Sequence, residues 1–82
     1  MTLKRITWLD ITGADEAWMS REDVLAFGRE KSKEYITTTG YIVHKTKDYL
    51  LIAGTHDKAG DMFSDVNMIP LGAIKKIETL KQ

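Results

Sequence analysis

The chain has 82 residues, with 12 lysines and arginines against 12 aspartates and glutamates, no cysteine and 43% hydrophobic residues. A chain this short buries only about 60 to 65% of the surface that its unfolded form exposes, so we expect one domain over residues 1–82. The lack of cysteine excludes disulfides and thiolate chemistry, and the zero net charge removes the global field that draws proteins to nucleic acids or anionic lipids. No apolar run approaches the roughly 18 residues of a membrane span, which predicts a soluble, cytoplasmic protein.

The first part of the chain predicts one strand followed by one helix. Residues 3–11 are rich in β-branched and aromatic side chains and end at a Thr-Gly turn signal. Ser20 is placed to cap an amphipathic helix over residues 21–31. Because an isolated helix of roughly 11 residues is marginal, we expect it to pack on the sheet through Val24 and Phe27.

The rest of the chain predicts four further strands, over residues 35–45, 49–55, 66–69 and 74–80. Gly40 and Gly54 fall near one another across the hairpin that the first two of these strands form, where they let the sheet curve. Residues 56–65 have no hydrophobic period and are expected to form a long loop. Pro70 ends the fourth strand because proline cannot donate to a strand ladder.

These elements predict a mainly β, or α+β, fold: a small, strongly bent five-stranded antiparallel barrel with one helix after the first strand, covering one opening. The alternative is a three-stranded antiparallel sheet with helices packed at both ends. We expect Phe27→Ala to cost roughly 3–5 kcal/mol by opening a cavity. The expected core residues are Val24, Phe27, Ile42, Ile52, Ile69, Ile74 and Ile77.

Four short patterns occur in order along the chain: Trp-x-Asp at Trp8 and Asp10, Gly-Tyr-Ile-Val at 40–43, Asp-Tyr-Leu-Leu-Ile-Ala at 48–53, and Ile-Pro-x-x-x-Ile-x-x-Ile-x-x-Leu at 69–80. Together they resemble a group of short uncharacterised bacteriophage proteins, over most of the chain except residues 56–65 and the helix surface. The resemblance implies a compact barrel similar in shape to Sm-like folds, a phage origin and a non-catalytic role. It assigns no functional residue.

No pattern in the sequence is typical of a catalytic or metal site. There is no cysteine pair, no His-x-x-x-His and no calcium-loop spacing among the potential ligands, and the glycines form no phosphate-binding loop. Ser20 is accounted for as a helix cap. We therefore expect no enzyme activity, no catalytic residue, no metal and no cofactor. The potential ligands considered are His44, His56, Asp57, Asp61 and Asp65.

The charges divide into a basic and an acidic region. Residues 10–23 carry five acidic groups and one arginine, a net charge of −4. If the first and last strands are neighbours, the chain ends form a patch of +4, with Trp8 and Tyr49 as potential stacking residues for a nucleic acid. The two regions equally suit self-association into a dimer or a closed ring. The patch comprises Lys4, Arg5, Lys75, Lys76 and Lys81 less the negative charge of Glu78.

A partner-binding surface is predicted on the segment 56–65 together with Trp18. An apolar pair within a polar segment, rimmed by three aspartates, is typical of a protein contact, and the acidic rim favours a basic protein surface. The alternatives are that the apolar pair docks onto the barrel mouth and that Trp18 folds back as a lid. The predicted binding residues are Trp18, Asp57, Asp61, Met62, Phe63 and Asp65.

The sequence therefore predicts a non-enzymatic, phage-type accessory protein in the host cytoplasm. We expect it to bind a host protein or a small ligand, to counter host defence, and to form a homo-oligomer. One alternative function is an Sm-like nucleic-acid-binding module, and another is a sponge for nucleotide-like defence signals.

Overall fold

A computed structural model of the protein describes residues 2–10, 13–14 and 18–81. Five antiparallel strands form one sheet, accompanied by one α-helix and one short 3-10 turn. The predicted mainly β fold with one helix after the first strand is confirmed. In chain order the elements are β1 (Leu3–Leu9), α1 (Arg21–Lys31), β2 (Tyr35–Lys45), β3 (Tyr49–Asp57), β4 (Met62–Pro70), the 3-10 turn (Leu71–Ala73) and β5 (Ile74–Thr79).

The sheet has the strand order β4-β3-β2-β1-β5. The first four strands are neighbours in chain order, and β5 returns to pair with β1, so the first and last strands are adjacent as expected. Within the described residues, β4 and β5 are the two edges and do not pair with each other. The sheet is therefore open, and closure into a barrel is not confirmed.

Strand β2 changes its pairing partner partway along its length. The first half of this strand, up to Tyr41, pairs with β1, whereas the half from Tyr41 onwards pairs with β3. At the changeover, a Cβ on Gly40 would collide with the carbonyl oxygen of Ala53 and lie 2.9 Å from its carbonyl carbon. Glycine is required here because two backbones approach closely. The irregularity in the register of β2 with β3 lies further along, between Ile42 and His44, and not at Gly40 as expected.

The core lies on one face of the curved sheet. Leu50 and Ile52, two apart on β3, point to that face, and Ile6 and Ile69 join them from β1 and β4. Side chains from β1, β2, the 3-10 turn and β5 complete the cluster; they are Trp8, Ile42, Leu71 and Ile74. Four of the seven expected core residues therefore contribute: Ile42, Ile52, Ile69 and Ile74.

The helix forms where expected but does not pack as expected. Its start is capped by Ser20, whose Oγ accepts the Asp23 N–H at 3.1 Å. None of its residues, all of them described, is buried, and Val24 remains 52% exposed. The predictions that α1 covers an opening of the sheet and that Val24 and Phe27 belong to the core are wrong, because the core is formed by side chains of the strands and the 3-10 turn alone. Ile77, 39% exposed, is also outside the core.

The loop predicted over residues 56–65 is wrong. Strand β3 continues to Asp57 and β4 begins at Met62, so only residues 58–61 form the turn of a hairpin. The hydrophobic period is absent here because most side chains at the end of the hairpin are exposed on both faces. In the described part of the chain, no helix is long and apolar enough to cross a membrane.

Candidate partner-binding site

Met62 and Phe63 lie at the end of the β3–β4 hairpin and point to opposite faces. Neighbouring residues on a strand alternate, and here Met62 pairs with Asp57 while Phe63 pairs with His56. The Phe63 ring stacks on the His56 ring, with centroids 4.4 Å apart and planes 6° from parallel. Met62 is 66% exposed. The two side chains therefore do not form the single apolar patch that the sequence suggested.

The three aspartates at this end of the hairpin make local hydrogen bonds. Asp57 Oδ1 accepts the Ala59 N–H at 3.2 Å, and Asp61 Oδ1 lies 3.0 Å from His56 Nε2. Asp65 Oδ2 accepts the Thr55 hydroxyl at 3.4 Å on the neighbouring strand. All three residues remain exposed, so they still give this end of the hairpin a negative rim.

Two of these aspartates hold unusual backbone conformations. Asp61 and Asp65 have φ angles of 50° and 55°, in the left-handed region that aspartate tolerates better than most residues. In the described part of the chain, no three histidine, aspartate or glutamate side chains are grouped to hold a metal ion. The local hydrogen bonds therefore indicate a structural role for these carboxylates in shaping the turn.

Trp18, the remaining predicted binding residue, belongs to the segment before α1 and not to the β3–β4 hairpin. It lies two residues before the Ser20 cap of α1 and is 94% exposed. The alternative in which Trp18 covers the sheet as a lid is therefore wrong. Its indole is exposed close to the start of α1.

A stripe of exposed apolar side chains runs along the outer face of β4. Met62, Val66 and Met68 are 66%, 55% and 61% exposed, and they share one face because they lie an even number of residues apart. This β4 stripe is opposite the core face, to which Ile69 points. Sequence reasoning missed Val66 and Met68. The sequence feature that could have found them is the spacing of two that joins Met62, Ser64, Val66 and Met68. It was overlooked because residues 56–65 were predicted to form a loop.

The two edge strands, β4 and β5, differ in the charged side chains that they carry. Strand β5 carries Lys75 and Lys76, and lysines on an edge strand discourage pairing with another chain. In β4 the only charged residue is Asp65, although the strand has nine residues. Of the two edges in the described structure, β4 therefore carries fewer charged residues, although Asp65 within it holds a left-handed backbone conformation.

The basic patch expected at the chain ends forms on β1 and β5, but a glutamate lies within it. Arg5 donates from Nε and from a terminal nitrogen to the two carboxylate oxygens of Glu78, both at 3.2 Å, and Lys76 Nζ lies 3.7 Å from Glu78 Oε1. This hydrogen bonding by Arg5, more than the charges nearby, holds the pKa of Glu78 below its ordinary value. Lys75 Nζ lies 4.7 Å from the centre of the Tyr35 ring. Glu78 thus neutralises one of the five positive charges, which the predicted net charge of +4 already includes, and Lys75 is held against the Tyr35 ring.

Trp8 is not available to stack on a nucleic-acid base. Its indole N–H donates to Thr38 Oγ1 at 3.0 Å, and its ring packs against the core. Trp8 therefore packs with the core and is not an exposed stacking residue. Tyr49, the other potential stacking residue, is half-buried.

The different surroundings of Met62 and Phe63 predict different costs of truncation. We expect Phe63→Ala to lower the free energy of unfolding by about 1–2 kcal/mol, because it removes the stacked ring pair. Met62→Ala should change it by less than about 0.5 kcal/mol, because the side chain is mostly exposed. Urea denaturation of the two variants measures both values. Equal effects would contradict the separation of these side chains onto two faces.

No protein-family model matches this chain, and neither the curated proteins nor the solved structures contain a protein that matches it.

Proposed function

We propose that this protein acts by binding another protein, without catalysing a reaction, through the β4 stripe and the open edge of β4. The observation that carries the proposal is the exposure of Met62, Val66 and Met68 on one face of an edge strand. Contiguous apolar groups on an edge strand are a liability for a protein that meets no partner. A binding partner that covers them removes the liability.

The geometry suits addition of a partner strand. An extended segment of the partner would pair with the backbone of β4 on either side of Asp65, whose left-handed φ of 55° interrupts the extended strand, and the pairing would supply affinity without regard to side chains. Specificity would come from the β4 stripe, where two flexible methionines adapt to the shape of apolar partner residues. The end of the hairpin would contact the partner through Met62.

The charge around the stripe favours a basic partner. Asp57 and Asp61 are exposed beside Met62, and Asp65 lies on β4 itself. Like charges across an interface cost several kcal/mol, whereas opposite charges speed association. The same carboxylates would repel phosphate groups, which argues against a nucleic acid at this surface.

The resemblance to short phage proteins supports a role during infection. On this proposal the partner is a host protein in the host cytoplasm, and its capture would counter host defence. Of the residues predicted from sequence, Met62 and the three aspartates stay in the proposed surface. Phe63 contributes only by packing on His56, and Trp18 is not needed.

The proposal predicts that charge in the β4 stripe abolishes binding without unfolding the protein. The double substitution Val66→Lys with Met68→Lys should remove capture of the partner from a bacterial lysate, measured by affinity purification and mass spectrometry. Because both side chains are more than half exposed, the melting temperature should shift by only a few degrees, a change of about 1 kcal/mol at most.

The matched control is Val43→Lys, since Val43 is an exposed valine on β2, 37% accessible and outside the β4 stripe. This variant should capture the same partner as the unmodified protein. A partner that both lysine variants retain would contradict the proposal. So would a lysate in which the unmodified protein captures a small ligand and no protein.

An Sm-like nucleic-acid-binding module is the second candidate. It is favoured by the adjacency of β1 and β5, which places Lys4 and Arg5 beside Lys75 and Lys76, and it would include closure of the sheet into an Sm-like barrel. Weighing against it are the central Glu78 and the packed Trp8. Salt-dependent binding of a single-stranded oligonucleotide that Lys75→Glu with Lys76→Glu removes would favour this candidate.

A further inference from the structure

We infer that Met62 and Met68 form an oxidation switch on the β4 stripe: a peroxide converts their thioethers into sulfoxides, and the oxidised protein no longer binds its partner. This rests on the proposed function and adds the regulation of that same surface. Three observations support it: both methionines are exposed, they share one face, and the described side chains that face them on β3 offer no hydrogen-bond donor.

The sulfur of this protein is confined to its methionines. The chain has no cysteine and four methionines, so no thiol competes for an oxidant. Met62 and Met68 are 66% and 61% exposed, whereas Met19 is half-buried, and Met1 lies outside the described residues. Because a peroxide must reach the sulfur atom, the described methionines of the β4 stripe should be oxidised before Met19.

The oxidation of each thioether transfers one oxygen atom and two electrons. A lone pair of the Sδ atom attacks one oxygen of hydrogen peroxide, the O–O bond breaks, and an S–O bond forms. The proton on the transferred oxygen passes to the other oxygen, which leaves as water. Methionine sulfoxide reductases reverse the modification: the oxygen leaves as water while two thiols are oxidised to a disulfide.

The position of the two methionines lets oxidation change the surface without unfolding the protein. In the described part of the chain, the core cluster contains isoleucine, leucine and tryptophan side chains and no methionine. The β4 stripe lies on the opposite face, where the sulfoxide groups of the free protein stay in water. The melting temperature of the oxidised protein should therefore change by only a few degrees.

A partner that covers the β4 stripe would take the sulfoxide oxygens out of water. A sulfoxide oxygen accepts hydrogen bonds and cannot donate one. On β3, Leu51 faces Met68 and Asp57 faces Met62, so one neighbour is apolar and the other is a carboxylate, which is itself an acceptor. Because a buried acceptor without a donor costs binding free energy, oxidation of both methionines should weaken partner binding about tenfold or more.

Treatment of the purified protein with hydrogen peroxide tests both the modification and its effect on binding. Peptide mass spectrometry should show faster sulfoxide formation at Met62 and Met68 than at Met19. Once the peroxide is removed, the oxidised protein should capture about a tenth or less of the partner that the unoxidised protein captures from a dialysed bacterial lysate. Dialysis removes the small reductants on which sulfoxide reduction depends.

Reduction and substitution assign the effect to the two methionines. Methionine sulfoxide reductases with dithiothreitol should restore capture, and they act only on sulfoxides. Met19→Leu should lose capture on oxidation as the unmodified protein does. In the double variant Met62→Leu with Met68→Leu, capture before and after peroxide treatment should be equal. This comparison is made within one variant, so any effect of leucine on binding cancels.

The outcomes distinguish the switch from the proposed function. An unoxidised protein that captures no partner would overturn both. A partner that the oxidised protein retains would overturn the switch alone, and so would a loss of capture that the reductases do not reverse. Oxidation of Met19 ahead of Met62 and Met68, or a melting transition that oxidation abolishes, would likewise overturn the switch and leave the proposed function standing.

Discussion

Replacement of Gly40 by alanine is expected to destabilise the protein by about 3 kcal/mol or more, the upper end of the range for overpacking. The added Cβ would collide with the backbone of Ala53 and lie 3.0 Å from the Ile52 Cγ1 atom. A flexible side chain could move aside, but a carbonyl group in the centre of a sheet cannot. The close approach of β2 to β3 would have to widen, and Ile52, which belongs to the core, would be displaced with it.

Circular dichroism during urea denaturation measures this effect, and Gly72→Ala provides the matched control. A Cβ at Gly72 would meet nothing within 4 Å, and no described glycine has a positive φ, so this second substitution should be nearly neutral. If Gly40→Ala unfolds at the same urea concentration as Gly72→Ala, the backbones of β2 and β3 do not approach each other closely at Gly40.

Truncation of a core side chain should cost much more than truncation of Phe27, for which the sequence alone predicted a large cost. Leu50→Ala is expected to cost about 2–5 kcal/mol, because Leu50 is fully buried and packs against Ile52 and Ile69. Phe27→Ala should cost less than about 1 kcal/mol, because no residue of α1 is buried. The midpoints and slopes of urea denaturation curves give both free energies.

The comparison of these two variants decides whether the helix belongs to the folding unit of the sheet. A Phe27→Ala variant as unstable as Leu50→Ala would show that α1 packs on the core after all. An unstable Leu50→Ala with a nearly unchanged Phe27→Ala would show that the sheet folds without help from the helix.

The sequence by itself determined the features that depend on neighbours in the chain. The Ser20 cap and the bounds of α1 were correct because the cap, its Asp23 partner and the helical turn lie within a few residues. The strand over residues 35–45 was correct because β-branched and aromatic residues favour extended backbone locally. Gly40 was recognised as a special position because an isolated glycine in a strand often marks a close approach of two backbones, which the structure shows here.

The candidate site could be predicted only in part, for a physical reason. The three aspartates and Met62 were found because an acidic rim around an apolar residue is visible in the sequence. Val66 and Met68 were missed, since their exposure depends on which face of the sheet becomes the core. Alternation shows that a strand has two faces, but it does not show which of them will face the core.

Only the tertiary structure decided where the helix goes and which sheet edge stays open. The apolar side of α1 has the same pattern whether it packs on the sheet, on a second copy or on nothing, because amphipathic periodicity reports the need for a partner and not its identity. The strand order, in turn, depends on pairing between residues as distant as Lys4 and Thr79. Local propensity carries no information about such contacts, so the open edge of β4, and the binding surface proposed on it, became visible only in the folded chain.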